Sequence, residues 1–504
     1  MFAAGLVALR DGDFVESERC FRRVLAQQPA HHGAWNWLAW TYLSSGQSDY
    51  ALEHARRAHE ISRRNVEYLN TLGVAYGETG QLELAEATFR KALKLRPAYL
   101  DALVNLAKSL EKREQAAEAL RLYERALAMD PAYPKLAANL ALLLRQSGNA
   151  ARARALLDAS KNAMDAQDYA MGMAECDIES GDLETALDRL GRAVAQHPEW
   201  ILARISRAHL LLAAGQWREA WQQYLWRNFA ASPQAGSTLP LRLDGQRILL
   251  RSEQGIGDAL FFLRFVPALR ARGALVGLEC EKKLHPLLSG SGLLEASAPF
   301  ERQLAIGDLP ALLECEDTPP AWPLAVSEDE KRAARERLAA LGPGPYLAVT
   351  WRAGTDTARG REFGAERTAL AKALPPGQLG GALRGWPGSV LLLQRGARAG
   401  EAAEFAAALQ APSHDLSALG EDLRALLAVL GVVDDYVTVS NTNVHLLAGL
   451  QRTARVLVPR PAEWRWMHDG DTSPWFPGFP VYRQPASRDW SGPLARLSKE
   501  LMRS

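Results

Sequence analysis

Apolar and small residues along the first 227 positions recur in paired helical stretches, self-similar at a period of about 34 residues. The clearest unit has Leu69, Leu72, Gly73 and Tyr76 on a first helix, Gly80 at a turn, Ala85, Phe89 and Ala92 on a second helix, and Pro97 at its close. Trp35, Leu38, Ala39, Tyr42, Gly46, Ala51, Ala55 and Ala58 repeat that pattern upstream, with Arg63 where a proline is expected. Leu103, Leu106, Ala107, Leu110, Ala119, Tyr123, Ala126 and Pro131 repeat it downstream. Weaker copies run through Leu140 to Ala153, Met173 to Pro198 and Ala208 to Tyr224, and a degenerate first copy holds Gly5, Gly12, Phe21 and Pro29. The pattern predicts an array of about seven helix pairs over 1–227. Gly or Ala on the first helix and Ala on the second let paired helices approach closely, so stacked pairs bury one continuous core and form a superhelix with a concave groove.

This period is that of the tetratricopeptide repeat. Its groove is usually a surface for an extended polypeptide, so a protein partner is expected. Asn105 and Asn139 fall at one first-helix position of successive units, and Asn36 and Asn70 lie one residue earlier in theirs. Asparagines on a groove wall can donate to and accept from a peptide backbone; the other reading is ordinary polar surface.

After residue 227 the pattern changes. Residues 228–246 are rich in Ser, Pro, Gly and Ala and read as a linker. From Arg247 short apolar runs alternate with helical spacing, the signature of a parallel α/β sheet. Strands are expected at Arg247 to Glu253, Leu275 to Cys280, Tyr346 to Trp351, Ser389 to Gln394, Tyr436 to Ser440 and Ala454 to Pro459, with a blurred unit between Phe300 and Leu313. Helices are expected at Ala259 to Arg270, Ser327 to Leu341, Glu401 to Leu409, Asp422 to Leu430 and Val444 to Leu450. This divides the second half into lobes over 247–325 and 326–488, with a final helix over 489–504 packing back on them. Two such lobes bring their strand ends to one cleft, where a ligand is expected. Trp217, Trp221 and Trp226 near the array's end read as packing against the next domain.

At 504 residues the chain exceeds one hydrophobic core. Its 59 basic and 58 acidic residues leave a charge of +1, which gives no sign of nucleic-acid binding or of a polybasic membrane anchor. Cys20, Cys176, Cys280 and Cys315 form no close pair, which points to a reduced, cytoplasmic compartment. The apolar start, Met1 to Arg10, reads as a helix and not as a signal peptide. No stretch has the length of a membrane span.

Two stretches carry candidate chemistry. Glu253-Gln-Gly-Ile-Gly-Asp258 follows the first strand, and Asp258 either caps the next helix or presents its carboxylate to the cleft. Ser440-Asn-Thr-Asn-Val-His-Leu-Leu-Ala-Gly449 turns a strand into a helix whose free amides and dipole favour a pyrophosphate. Ser440, Asn441, Thr442, Asn443 and His445 can add donors there; a core or capping role for His445 is the alternative.

These stretches, together with Leu393-Gln394 and Trp464-Arg-Trp466 leading to Ser473-Pro-Trp-Phe-Pro477, resemble bacterial tetratricopeptide-fused glycosyltransferases of the heptosyltransferase-like type, flagellin glycosyltransferases among them. The resemblance covers essentially the whole chain. It implies a helical solenoid followed by an α/β GT-B fold, two Rossmann-like lobes facing a cleft, with the acceptor on the first and a nucleotide-sugar on the second. By position it makes Asp258 the general base and Gly255, Gly257, Arg352, Gln394, Ser440, Asn441, Thr442, Asn443 and His445 donor-binding. It implies a nucleotide-sugar as co-substrate without metal or other cofactor, inversion at the anomeric carbon, and a protein acceptor, flagellin or another surface protein, presented by the groove.

The chain departs from the pattern in two places. Ser440-Asn441 stand where the family usually has Asp-Thr, and Thr355 to Arg361 replace a charged loop. Asp469-Gly-Asp471 reads as a turn or as a metal-binding carboxylate pair. The expected activity is sugar transfer to a hydroxyl, Ser or Thr of a protein; the alternatives are a scaffold that has lost catalysis, or a transferase acting on glycolipid or polysaccharide.

Overall fold

A computed structural model describes residues 1–503 except 114, 134, 229–238, 295–298 and 354–372. The chain divides into two compact units, Met1–Cys176 and Asp177–Ser504. Seven helix pairs run from Phe2–Arg10 with Phe14–Gln27 to Ile201–Ala213 with Trp217–Tyr224 among the described residues. The last of them belong to the second unit, so the division between the compact units falls after Cys176 and not at residue 227.

The repeat consensus has direct physical causes. Gly80 ends its helix at φ +78°, in the left-handed region that glycine enters without a steric penalty. At Gly73 a Cβ would stand 2.5 Å from Phe89 Cε1, so only a residue without a side chain lets the two helices of that pair meet. Ala85, Phe89 and Ala92 are buried beneath that contact.

In the second unit, strands β1 (Arg247–Arg251), β2 (Leu275–Glu279) and β3 (Arg302–Ala305) form a parallel sheet in the order β2-β1-β3. Six more strands form a second parallel sheet: β4 (Tyr346–Thr350), β5 (Ser389–Leu392), β6 (Ser413–Asp415), β7 (Asp435–Val439), β8 (Arg455–Val458) and β9 (Val481–Arg483). Their order is β6-β5-β4-β7-β8-β9, so the winding reverses between β4 and β7. All four residues of β5 are buried, as expected of a strand covered on both faces. Each sheet has its switch point at its first strand, and ligands of such sheets sit beyond the carboxyl ends there.

Several expectations need correction. The helix expected over Ala259 to Arg270 is two helices, Ile256–Phe262 and Val266–Ala271, joined by a 3₁₀ turn at Leu263–Phe265. Strands β6 and β9 and the helix Pro376–Ala382 were not anticipated; β6 and β9 have only three residues each, too few to show alternation. The described end of the linker is packed, with Leu239 and Leu243 buried and Leu239 N–H donating to the Leu312 carbonyl at 2.9 Å. The rest of the expected linker, at 229–238, and the loop Thr355 to Arg361 lie outside the described residues. The final helix, Ser491–Leu501, buries Leu494, Leu497 and Leu501 in the second sheet's core. No helix among the described residues is long and apolar enough to cross a membrane.

Candidate functional site

The turn after β1 carries Gly255 as the N-cap of helix Ile256–Phe262, which puts Asp258 in the first turn, not at the cap. Its carboxylate is not free. Oδ1 accepts from Arg465 Nη2 at 2.5 Å, while Oδ2 has no hydrogen-bond partner among the described residues and the side chain stays 33% exposed. Neither glycine has a positive φ. A Cβ on Gly255 would meet nothing closer than Asp258 Oδ2 at 3.9 Å. At Gly257 it would lie 3.5 Å from Thr442 Oγ1 and 3.4 Å from His445 Cδ2. The first sheet's switch point therefore meets the second sheet's at Gly257.

Beyond β7, Asn441 is the N-cap of helix Thr442–Gly449. Its Oδ1 accepts from Asn443 N–H at 3.0 Å and its Nδ2 donates to Thr438 Oγ1 at 2.9 Å. Asn443 is buried and donates through Nδ2 to the Tyr436 hydroxyl at 2.8 Å, which also bonds Thr350 Oγ1 at 2.7 Å. These asparagines fix the helix start and tie β7 to β4, and the cap takes up the Asn443 amide that was expected to be free. Ser440 Oγ donates to Glu463 Oε2 at 2.7 Å. Thr442 and His445, both half-buried, are the residues of this stretch whose side chains face Gly257. His445 packs edge-on against Phe261, ring centroids 6.0 Å apart, and against Phe476 at 5.3 Å.

Gln394 and Arg352 meet at the ends of β4 and β5. Gln394 Oε1 accepts from Trp351 N–H at 3.1 Å and Arg352 N–H at 2.8 Å; its Nε2 donates to the carbonyls of Arg352 at 3.1 Å and Arg395 at 2.9 Å. All four hydrogen-bonding positions of the amide are used, so Gln394 braces the strand ends and has nothing left for a donor. Arg352 is also engaged: Nη2 donates to Glu401 Oε2 at 3.0 Å and to the Gly396 carbonyl at 2.8 Å.

Sequence reading did not give Arg465 and Glu463 a role, although Arg465 stands inside the quoted Trp-Arg-Trp stretch. Arg465 bonds both Glu463 and Asp258, and its guanidinium lies over the rings of Trp464 at 4.3 Å and Phe261 at 4.5 Å. Burial alone would lower its pKa, but the two carboxylates outweigh that and the net shift is upward. A relay Ser440–Glu463–Arg465–Asp258 thus joins the two switch points. Asp471 pairs with Arg496 at 3.1 Å, and Gly470 between the two aspartates turns the chain at φ +76°.

The last repeat packs directly on this region. Trp221 is buried among Phe262, Phe265, Trp464 and Trp475, at ring distances of 5.6 to 6.2 Å. Tyr224 and Gln254 share a hydrogen bond, with Gln254 Nε2 donating at 3.0 Å. Arg227 pairs with Glu253 at 2.5 Å and Asp308 at 2.8 Å. The last repeat thereby holds the turn leading to Asp258.

In the first unit the asparagines behave differently from a free groove wall. Asn36 and Asn70 are buried at 5% and 4% exposure, and Asn70 Oδ1 accepts from Asn105 Nδ2 at 3.0 Å, a bond between neighbouring repeats. Asn105 and Asn139 are half-buried.

Models of the tetratricopeptide repeat match residues 2–66, 70–134 and 110–176. Protein FlbA of Caulobacter vibrioides is 26% identical over 369 residues, covering 64% of this chain, a stretch longer than the repeat array. The chain spans 59% of the length of that relative. Among solved structures, the chain is similar to PilW, a type IV pilus biogenesis factor, at 22% identity over 39% of this chain and 92% of that one, TM-score 0.36. A tetratricopeptide repeat protein from Parabacteroides merdae is 16% identical over 46% of this chain and 90% of that one, TM-score 0.38. The repeat models and the two parallel sheets together give tetratricopeptide repeats ahead of a parallel-sheet α/β region.

Proposed function

We propose that the chain is a glycosyltransferase of the GT-B type that moves a sugar from a nucleotide-sugar to a Ser or Thr hydroxyl of a protein, flagellin or another surface protein, recruited by the repeats. The observation that carries this reading is the meeting of the two switch points at Gly257, with the Asp258 carboxylate on one side and Thr442 and His445 on the other. The acceptor hydroxyl attacks the anomeric carbon as its proton passes to Asp258 Oδ2. The anomeric C–O bond to the phosphate breaks, and the nucleoside diphosphate leaves toward the start of helix Thr442–Gly449, whose dipole and Thr442 donors offset its charge. One displacement inverts the anomeric centre. No metal or other cofactor takes part in this scheme.

A second reading has one observation in its favour: Asp258 and Ser440 are bound into a relay with Arg465 and Glu463, an arrangement that also suits a scaffold. Intact-mass analysis of surface proteins from a deletion strain separates the two. A discrete increment restored by the wild-type chain, and lost by about 100-fold or more with Asp258→Asn, supports transfer. Full modification by Asp258→Asn removes Asp258 from the mechanism. No increment on any protein, glycolipid or polysaccharide leaves the scaffold.

A further inference from the structure

The last repeat packs on the segment that carries Arg465 and places a histidine beside Tyr224. His209 lies on helix Ile201–Ala213 between Ala208 and Leu210; both neighbours are buried while the histidine is exposed. Its helix runs against the segment that carries Arg465, where His468 N–H donates to the Ala213 carbonyl at 3.2 Å. The imidazole is 5.9 Å from the ring of Tyr224, whose hydroxyl binds Gln254 in the turn before Asp258. Neither ring nitrogen has a hydrogen-bond partner among the described residues.

The charge state follows from this setting. The protein packed around the ring on the sides away from solvent and the Arg465 guanidinium both oppose a positive charge there, against a smaller opposite effect of Glu463. Together they hold the imidazole down at about 4. It is therefore neutral at physiological pH and offers one donor and one acceptor. That pair matches a hydroxyl, which can accept from one group and donate to another.

We propose that His209 is a binding residue on the acceptor side of the site, so that the last repeat contributes a hydrogen-bonding contact to the hydroxyl-bearing residue of the acceptor. The proposal rests on the transferase reading above. It differs from a recruitment role for the groove: here a repeat residue touches the reacting part of the substrate.

The test complements the deletion strain with the full-length wild type, His209→Ala, His209→Gln and Asp258→Asn. It reads the modified fraction of the acceptor protein by intact mass and the melting temperature of each purified chain. His209→Ala should cut modification by about tenfold, the loss of one hydrogen bond to substrate, with the melting temperature unchanged. His209→Gln, which keeps a donor and an acceptor, should recover most of it. Wild-type modification by His209→Ala overturns the proposal, as does a His209→Gln variant as impaired as the alanine one. If His209→Ala fails to fold, the glutamine variant decides. Absence of modification with the wild-type chain sinks the transferase reading and this contact with it, whereas normal transfer by His209→Ala sinks this contact alone.

Discussion

Arg465 donates to Asp258 at 2.5 Å, from the loop beyond β8 to the helix beyond β1, and is only 8% exposed where Asp258 is 33% exposed. The guanidinium joins the two sheets at the point where their winding reverses. Because it also binds Glu463, and Glu463 accepts from Ser440, one buried cation orients polar groups on both sides. The carboxylate is held by one oxygen and open at the other.

Arg465→Lys follows from this geometry. Lysine keeps the charge but not the planar fork that reaches two carboxylates at once. Removing the partner of a fully buried charge costs about 3–5 kcal/mol, and because lysine keeps the charge and Asp258 is a third exposed, the loss here should be smaller. The urea midpoint of the second unit should fall accordingly, and sugar transfer should fall with it. An unchanged midpoint would mean that the Asp258 and Glu463 pairings contribute nothing to the fold.

How much of this was legible in the sequence differs by element. The repeats were, because Gly73 and Ala85 recur at fixed offsets and each reflects a close helix approach. The strands at Tyr346 and Ser389 were, because parallel strands buried over all or nearly all of their length read as largely apolar runs. Strands β6 and β9 were not, since a three-residue strand has no period. At the site, the positions of Gly257, Asp258, Thr442 and His445 were legible from their place after strands. The roles of Gln394, Asn441 and Asn443 were not, because an amide that braces backbone and one that binds a ligand look alike until its partners are known. His209 gave little signal beyond one polar residue in the apolar run Ala208 to Leu212, and what gives it meaning is the neighbouring Arg465 from 256 residues further on.

Gly73→Ala tests the physical basis of the repeat. The new methyl would stand 2.5 Å from Phe89 Cε1 and 2.8 Å from Cδ1, inside any real contact distance. Overpacking of this kind costs about 1–3 kcal/mol. A second substitution, Phe89→Leu, frees that space, so the double variant should be more stable than the sum of the two single losses. Strict additivity in chemical denaturation would show that the helix pair yields at some other point.

Glu111 gives the first unit a pH dependence whose sign is fixed. It lies on helix Leu100–Lys112, partly buried, and its Oε2 accepts from the Tyr123 hydroxyl at 3.0 Å. Burial raises its pKa from 4.5 to about 7, and the Tyr123 hydrogen bond and the charges of Lys108 and Lys112 offset only part of that. Between those two values the folded chain holds a proton that the unfolded chain has released. Stability from this group is therefore fully present below pH 4.5, falls as pH rises toward 7 and is constant above. Glutamine at 111 does not titrate, and its amide oxygen can still accept from Tyr123. Glu111→Gln should gain stability relative to the wild type as pH rises from 4 to 8, by on the order of 3 kcal/mol for a shift of this size. Parallel pH profiles of the two chains in denaturant titrations would show that Glu111 is as well hydrated in the folded chain as in the unfolded one.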